Sequence, residues 1–344
     1  GTPLENSLMD LWALMSIAAP GLLPDPERFG QVYRKPIDRG DAEALGRLRR
    51  RMRPFLLRRT KEQVAADLPA KTEQVLSVEL GAKHRKAYDQ RLARERQRIL
   101  GLLEEDTAQS RFIALKALTT LRQMALDPAL VDGEDGAEPE AVEAAESAGG
   151  EENGEAAGGK GGSGKRAARG KGAKGSDAGA PAAGRRGPGR RPSPSAKVEV
   201  LVEHLGPILS EGHRALVFSQ FTRYLSGVRG HLEATGVRTA YMDGSTPDRQ
   251  KVIDAFRAGE ADVFLISLKA GGFGLTLTEA DYVFLLDPWW NPQAEEQAVD
   301  RTHRIGQDKP VMVYRLVSAD TIEEKVMALK EKKAELFARV VEGA

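Results

Sequence analysis

Cysteine is absent from this chain, which excludes disulfide bonds and thiolate metal sites and fits a reducing compartment. No apolar run approaches the ~20 residues that a membrane-spanning helix requires, so we expect no membrane association. The formal net charge is only +1, so nucleic-acid binding would have to come from local charge distribution. The chain begins with Gly1 rather than methionine, and we expect it to be part of a longer protein.

The C-terminal part, residues 197–344, alternates short apolar runs with amphipathic segments. Helices are expected at 220–234, from a cap at 245–247 to about 259, and from about 321 to 341. Alternation with near-continuous apolar strands predicts an α/β fold, in which helices cover both faces of a parallel sheet. Ligands bind such sheets beyond the carboxyl ends of the strands. The predicted strands are 214–219, 238–242, 262–267, 281–286 and 311–317.

The segment 132–196 has a different composition. Its first half is acidic, its second half is basic, and nearly all other residues are Gly, Ala, Ser or Pro. Such a segment cannot bury enough apolar surface to offset its ordering entropy. It is predicted to be a disordered linker, and nonspecific DNA binding by its basic half is the alternative interpretation.

Residues 1–131 have a mostly helical pattern. Apolar residues recur at helical spacing in several segments, and the last two of these segments are long helices with apolar stripes. The predicted helices are 8–15, 41–53, 83–105 and 110–126.

The most informative stretch is 297–307, which places Arg301 and Arg304 three residues apart behind Gln297. On a helix, that spacing would put both guanidinium groups on one face. Two planar guanidinium groups can bind phosphoryl oxygens and neutralise charge on a transferred phosphoryl group. The alternative is a solvated basic helix face. A glycine-rich loop at 269–276 and the Asp-Pro-Trp-Trp-Asn-Pro segment 287–292 precede this stretch, and glycines permit close backbone approach to a ligand.

Together these segments resemble the C-terminal motor lobe of the Swi/Snf-type ATPases, which are superfamily-two, helicase-like DNA translocases with RecA-like lobes. Residues 1–6 resemble the third motif of that family, and 53–61 with 68–71 resemble its link between lobes. The resemblance implies four domains. They are the end of the first lobe and a brace (1–75), a helical protrusion (76–131), the linker (132–196) and the helicase C-terminal lobe (197–344).

The resemblance also implies roles for individual residues. Arg301 and Arg304 would be arginine fingers that act on the γ-phosphate of ATP, and Gly272, Gly274 and Gln297 would contact the nucleotide. Ser219 could instead be a strand-end hydroxyl bonded to the backbone, Lys269 could be solvated, and the tryptophans could simply pack on the sheet. The residues implied in DNA binding or coupling are Thr2, Glu5, Asn6, Ser219, Gln220, Thr222, Gly244, Ser245, Lys269, Thr276, Trp289 and Trp290.

The implied function is ATP-driven movement on double-stranded DNA, with an upstream motor lobe of the same protein as partner. The phosphate loop and the magnesium ligands for Mg²⁺·ATP belong to the part before the third motif, so the chain alone is expected to be inactive. The Gly-rich segment 159–166 is no substitute, because Arg166 replaces the hydroxyl residue and no strand precedes it.

Two other functions stay open at this stage. One is a non-catalytic nucleic-acid or partner-binding module, and the other is an ATPase that recycles RNA polymerase. DNA-bound proteins or RNA polymerase are therefore further candidate partners. The alanine- and arginine-rich composition suggests a bacterial source, and the expected location is the cytoplasm, associated with the nucleoid.

Overall fold

The main feature of the molecule is a six-stranded, fully parallel sheet. The computed structural model describes residues 8–56, 65, 67–100, 108–131, 195–268 and 275–341. The strands are β1 (Lys71–Val78), β2 (Ala215–Ser219), β3 (Thr239–Met242), β4 (Val263–Ser267), β5 (Tyr282–Leu285) and β6 (Val311–Ser318). Their order across the sheet is β1-β6-β5-β2-β4-β3.

Helices surround this sheet and also form a separate N-terminal group. The N-terminal helices are α1 (Leu8–Ala18), α2 (Pro26–Phe29), a π-helical turn (Gly30–Arg34), α3 (Lys35–Asp38) and α4 (Ala42–Met52). The others are α5 (Ala82–Leu100), α6 (Ala108–Leu126), α7 (Ala196–Ser210), α8 (Thr222–Ala234), α9 (Arg249–Arg257), α10 (Pro292–Val299) and α11 (Ile322–Val341).

The strands bury both faces because successive side chains alternate between two apolar clusters. Val217 and Leu265 point into a cluster shared with α6, α7 and α8. Phe218 and Ile266, one residue further along, point into a cluster shared with α9 and α10. Helices therefore cover both faces of a parallel sheet, which confirms the predicted fold class.

Strand β1 was not expected, because residues 1–131 were predicted to be mostly helical. Its side chains are exposed over most of its length, and among the described strands it pairs only with β6, at the edge of the sheet, with Lys71 opposite Val311. An edge strand with polar side chains lacks the apolar run that identifies a buried strand. The domain boundary predicted at 75–76 falls inside this strand, and the domain division itself stays a prediction.

Helix α9 begins later than the cap predicted at 245–247. Asp248 is the N-cap, and its carboxylate accepts from the backbone N–H of Lys251 at 3.1 Å. Ser245 and Thr246 instead bond to Asp243 in the preceding loop. Because these hydroxyls are already used, they do not cap the helix. The helix ends as expected near Gly259, which has a φ of 85°.

The N-terminal helices pack around their own apolar cluster, which includes Leu11, Phe29 and Leu48. Helix α4 begins at the predicted place, where the Asp41 carboxylate accepts from the N–H groups of Glu43 and Ala44. Among the residues described, no helix is both long and apolar enough to cross a membrane.

The predicted linker lies outside the described residues except for its last two positions, 195 and 196. The residues on either side of it contact neighbouring positions of α8. The carbonyl of Leu130 accepts from Arg223 at 3.4 Å, and the hydroxyl of Ser195 lies 3.1 Å from that of Tyr224. The two flanks are therefore anchored on one helix.

Candidate active site

The stretch with the two arginines is a turn, which corrects the helix expected there. Helix α10 ends at Val299, and residues 300–306 form turns and bends. In a helix the carbonyl of Arg301 would accept from the N–H four residues later. Here it accepts from the N–H of Leu277 at 2.9 Å. The amide of Gln307 donates to the carbonyls of Thr278, Ala280 and Thr302. Bonds to the 277–280 segment thus replace the helical ladder.

Arg301 is a buried cation without hydrogen-bond partners for two of its nitrogens. The residue is only 8% exposed. Within the described part of the chain, its Nε and Nη1 atoms are buried and unpaired. Burial lowers the pKa of Arg301 to about 10. A buried, unpaired guanidinium is costly and needs an anionic partner, so this group fits a phosphate ligand supplied from outside the described residues.

Arg304 and Gln297 lie in a different environment. Both are exposed, so Arg301 and Arg304 do not share one face as the helical spacing predicted. The turn between them is held by His303, whose Nε2 lies 2.8 Å from the carbonyl of Pro69 just before β1. The two arginines therefore differ in solvent access, although both lie in the same short turn.

Ser219 and Gln220 lie at the carboxyl end of β2, in the buried interior. The Ser219 hydroxyl accepts from the N–H of Phe221 at 3.1 Å, which is the backbone-bonding role considered for it. The N–H of Gln220 donates to the Asp287 carboxylate at 3.3 Å. Asp287 follows β5, the neighbouring strand, so these contacts join the carboxyl ends of two adjacent strands.

Asp287 begins a segment, residues 287–291, that we call the tryptophan loop. Burial raises the pKa of Asp287 to about 6, although facing Arg122 and the Ser219 hydroxyl bond act in the opposite direction. Such a carboxyl group gains a proton near neutral pH much more readily than an exposed one. Sequence reasoning did not single out Asp287 as a site residue, even though its position at a strand end was a signal for it.

Arg122, on α6, reaches into this cluster and was not foreseen. It is only 2% exposed. Its Nη1 donates to Gln220 Oε1 at 3.2 Å, and its Nη2 donates to the carbonyl of Pro288 at 2.5 Å and lies 3.8 Å from Asp287. Its guanidinium lies 5.1 Å from the ring centre of Trp290 and 5.6 Å from that of Phe221.

Both tryptophans of the loop are partly buried. The backbone N–H of Trp289 donates to Glu295 Oε1 at 2.7 Å. Glu295 lies on α10, is fully buried, and also binds Arg315 and Lys330 through its other oxygen. Each tryptophan is thus held by a different helix: Trp289 through its backbone by α10, and Trp290 through its ring by α6.

The loop after β3 carries two more predicted site residues, Gly244 and Ser245, and both are exposed. Ser245 donates to Asp243 from its backbone at 2.9 Å and from its hydroxyl at 2.7 Å. Burial raises the pKa of Asp243, but hydrogen bonds from Ser245, Tyr241 and Thr246 outweigh burial and lower it overall. Thr222 and Thr276 are partly buried, the first at the start of α8 and the second after the glycine-rich loop.

Six predicted site residues lie outside the described part of the chain: Thr2, Glu5, Asn6, Lys269, Gly272 and Gly274. Within the described ranges, no group of three or more His, Asp or Glu side chains is arranged to hold a metal ion. The identity of the magnesium ligands stays a prediction.

Comparison with known proteins identifies the family of this chain. Residues 1–130 match the SNF2-related domain, and residues 196–306 match the helicase conserved C-terminal domain. The chain belongs to the SNF2-related, helicase-like family. The resemblance seen in its motifs is confirmed.

Two curated relatives illustrate this family. The chain is 34% identical over 366 residues to Protein CHROMATIN REMODELING 24 of Arabidopsis thaliana, covering 99% of the chain and 31% of that protein. It is 30% identical over 347 residues to the ISWI chromatin-remodeling complex ATPase ISW1 of Saccharomyces cerevisiae, covering 99% of the chain and 27% of the relative. The chain thus spans about three-tenths of the length of each SNF2-related relative.

A solved structure supports the fold assignment. The SWI2/SNF2 ATPase core of Sulfolobus solfataricus in complex with dsDNA is 27% identical, with a TM-score of 0.51, and the match covers 100% of this chain and 62% of that one. The parallel sheet of this SNF2-related chain therefore has the RecA-like fold of the SNF2 ATPase domains.

Proposed function

We propose that this chain forms the second motor lobe of an ATPase that moves along double-stranded DNA. The observation that carries the proposal is the buried guanidinium of Arg301, with two nitrogens unpaired in a turn held by hydrogen bonds. Retaining a buried, unpaired cation has a free-energy cost. That cost is offset when a polyanionic ligand, here the γ-phosphate of ATP, is bound next to it.

The reaction would be attack of water on the γ-phosphorus of the substrate ATP, with cleavage of the bond to the β,γ-bridging oxygen. Negative charge spreads over the oxygens of the transferred group in the transition state. Arg301 would donate to those oxygens from a site that excludes water, where the interaction is strong and needs little reorganisation. Magnesium, when bound, would neutralise charge on the β and γ oxygens, and we expect its ligands in the first lobe.

DNA is the proposed track. A named relative is a chromatin-remodeling ATPase and a solved neighbour is bound to dsDNA, and the exposed loop at Gly244 and Ser245 offers backbone and hydroxyl groups. Such groups bind phosphates and position a duplex without reading its sequence. Lys269 is a further expected phosphate contact. Binding by this lobe alone should be weak and salt-sensitive, because it has few phosphate contacts.

The test is steady-state phosphate release by the full-length protein, with and without duplex DNA. Arg301→Ala should lower turnover by about 10³-fold or more, the usual effect of losing an arginine finger, with DNA affinity nearly unchanged. Arg229→Ala is the matched control, because Arg229 is exposed on α8, on the opposite face of the sheet from α10. Near-normal turnover in Arg301→Ala at saturating DNA would contradict the proposal.

The isolated chain provides a second test. Without a phosphate loop it should release no phosphate above background, whether or not DNA is present, because the arginines have no docked nucleotide. Addition of a separately purified first lobe should restore some turnover. Robust DNA-stimulated turnover by residues 1–344 alone would show that a nucleotide site is complete within this chain.

A further inference from the structure

We infer that Arg122 is a positioning residue that holds the tryptophan loop against α6, so that DNA binding can raise the rate of ATP hydrolysis. The inference rests on the proposed function and assigns a coupling role to a residue outside the predicted motifs. The hydrogen bonds of Arg122 go to Gln220 and Pro288, not to the Arg301 turn or the loop at 244–245, so it would act through the residues that it holds.

The first argument is the number of different elements that one side chain joins. Arg122 belongs to α6, Gln220 follows β2, and Pro288 with Trp290 belongs to the loop after β5. The three elements are far apart in sequence and meet at this guanidinium. Loss of the side chain would therefore release Gln220 and the tryptophan loop together.

The second argument is the choice of side chain. A planar guanidinium can donate in two directions, oppose a carboxylate and stack on an aromatic face at the same time. Arg122 does all of these, with Gln220, Pro288, Asp287 and Trp290 as partners. A buried ion pair is often no more stabilising than an apolar replacement of similar volume. The cluster is therefore better explained by the geometry that it imposes than by stability alone.

The third argument is the route from this loop to Arg301. The N–H of Trp289, next to Trp290, donates to Glu295 on α10 at 2.7 Å. Helix α10 leads directly into the turn with Arg301. Displacement of the tryptophan loop would therefore shift α10, the helix that precedes Arg301. The contacts form one continuous series of packed and bonded groups, which is a route by which coupling between two sites can travel.

A spectroscopic experiment tests the positioning role without requiring any ATP hydrolysis. In a protein with Trp12→Phe and Trp289→Phe, the emission of this chain reports on Trp290. Arg122→Met should shift that emission towards longer wavelength, because the ring loses its stacked guanidinium and gains water. Thr120→Val is the matched control on α6: Thr120 is buried, but its hydroxyl bonds, among the described residues, to the Lys116 carbonyl of its own helix. An unchanged Trp290 emission in Arg122→Met would overturn the positioning role.

A kinetic experiment tests the coupling role in the full-length protein. In Arg122→Met, the DNA-stimulated rate should fall on the order of 10²-fold, the cost of a small misplacement near a reacting group, and the DNA-free rate should fall much less. Thr120→Val should behave as wild type. Arg122→Lys should keep the charge opposite Asp287 and remain folded, yet recover only part of the stimulation, because an ammonium cannot make both donations and stack.

The outcomes separate this inference from the proposed function. If Arg301→Ala keeps full turnover, the proposed function fails, and the Trp290 emission still decides whether Arg122 positions the loop. If Arg301→Ala loses turnover but Arg122→Met and Arg122→Lys, both folded by circular dichroism, keep normal DNA stimulation, only the coupling role fails. If Arg122→Met does not fold, Arg122→Lys decides, and full stimulation in that variant overturns the inference.

Discussion

Arg301 and Arg122 are both buried arginines, but their hydrogen-bond partners differ. Arg122 donates to Gln220 and Pro288, faces Asp287 and stacks on two rings. Among the described residues, Arg301 has two buried nitrogens without a partner, Nε and Nη1, whereas Arg122 has one, Nε. Burial lowers the pKa of both groups, and for Arg122 the neighbouring Asp287 counteracts this effect.

This difference shows how to separate a ligand-binding arginine from one that organises the fold. A guanidinium whose donors are used within the chain has little capacity left for a ligand. A guanidinium that stays unpaired in a preorganised turn keeps its donors for one. The sequence spacing around Arg301 suggested its chemistry, but only the contacts distinguish it from Arg122. The predictions below test this distinction, beginning with the largest effect.

The Arg304→Ala variant tests whether the exposed Arg304 acts as an arginine finger in addition to the buried Arg301. From the family resemblance, we expect a fall in ATP turnover of about 10³-fold with little change in DNA affinity, although Arg304 is exposed. The measurement is ATPase rate against DNA concentration, beside Arg301→Ala and the Arg229→Ala control. If ATP turnover falls strongly in Arg301→Ala but only slightly in Arg304→Ala, the finger role belongs to the buried Arg301.

Lys197→Met extends the comparison to a third buried cation, one that is fully paired. Lys197 donates to Glu323 at 2.6 Å and to the carbonyls of Leu286 and Leu316 at 2.7 and 2.9 Å. Its removal leaves the Glu323 carboxylate buried without its cation, which typically costs about 3–5 kcal/mol of unfolding free energy. Urea unfolding measures this change.

The control for that experiment is the double variant Lys197→Met with Glu323→Gln. Glutamine removes the uncompensated charge and can still accept from the N–H of Ser318, which now bonds to Glu323 at 2.8 Å. The double variant should recover a large part of the lost stability. Equal instability of the single and double variants would mean that packing, and not the buried charge, dominates at this position.

The Asp287 carboxyl group should make stability depend on pH. Its folded-state pKa of about 6 lies above the ordinary value of 3.8, so the folded protein binds the proton more tightly than the unfolded chain. The stability that this group contributes is therefore fully present below about pH 4 and is lost as the pH rises through about 6, by about 1.4 kcal/mol for each unit of pKa difference.

Asp287→Asn should remove this part of the pH dependence, because an amide does not ionise and can still accept from Gln220. The measurement is the difference in unfolding free energy between wild type and Asp287→Asn across pH 4 to 7. Parallel curves would show that Asp287 does not hold a raised pKa, and would weaken the description of the cluster around Arg122.

The smallest effect on stability is expected for a replacement that removes none of the buried side chains described above. Replacing residues 135–194 by a short Gly-Ser linker should leave the unfolding of the lobe cooperative, because the flanks are anchored at Arg223 and Tyr224 of α8. Halving a flexible loop changes its closure cost by only about 0.6 kcal/mol. Loss of a single cooperative transition would show that the replaced segment contributes to the core.

Much of the sheet could be predicted because its central strands are buried on both faces. Short apolar runs next to glycine-rich turns, such as 215–219 and 263–267, are typical of buried strands. Strand β1 could not be predicted in this way, since its exposed, polar edge position leaves no periodic signal. Helix α7 was also missed, because its first residues adjoin the low-complexity segment.

The candidate site was predictable in its residue types but not in its contacts. The turn at Arg301 depends on hydrogen bonds from Leu277 and Gln307, which local helical spacing cannot reveal. Arg122 gave no signal, because its partners lie 98 and 166 residues away in sequence. Tertiary contacts override local helix propensity at Arg301, and at Arg122 they assign a role to a residue of a correctly predicted helix.

The pairing of β1 with β6 has a consequence for how the protein is made. Strand β1 lies early in the chain, yet its partner in the sheet is the last strand, with Val78 opposite Ser318. At ribosomal rates of about 5–20 residues per second, β1 remains without its partner strand for on the order of ten seconds or more until β6 is synthesised. The sheet cannot be completed until β6 has been synthesised, so premature termination before residue 311 would leave β1 as an unpaired strand available for aggregation.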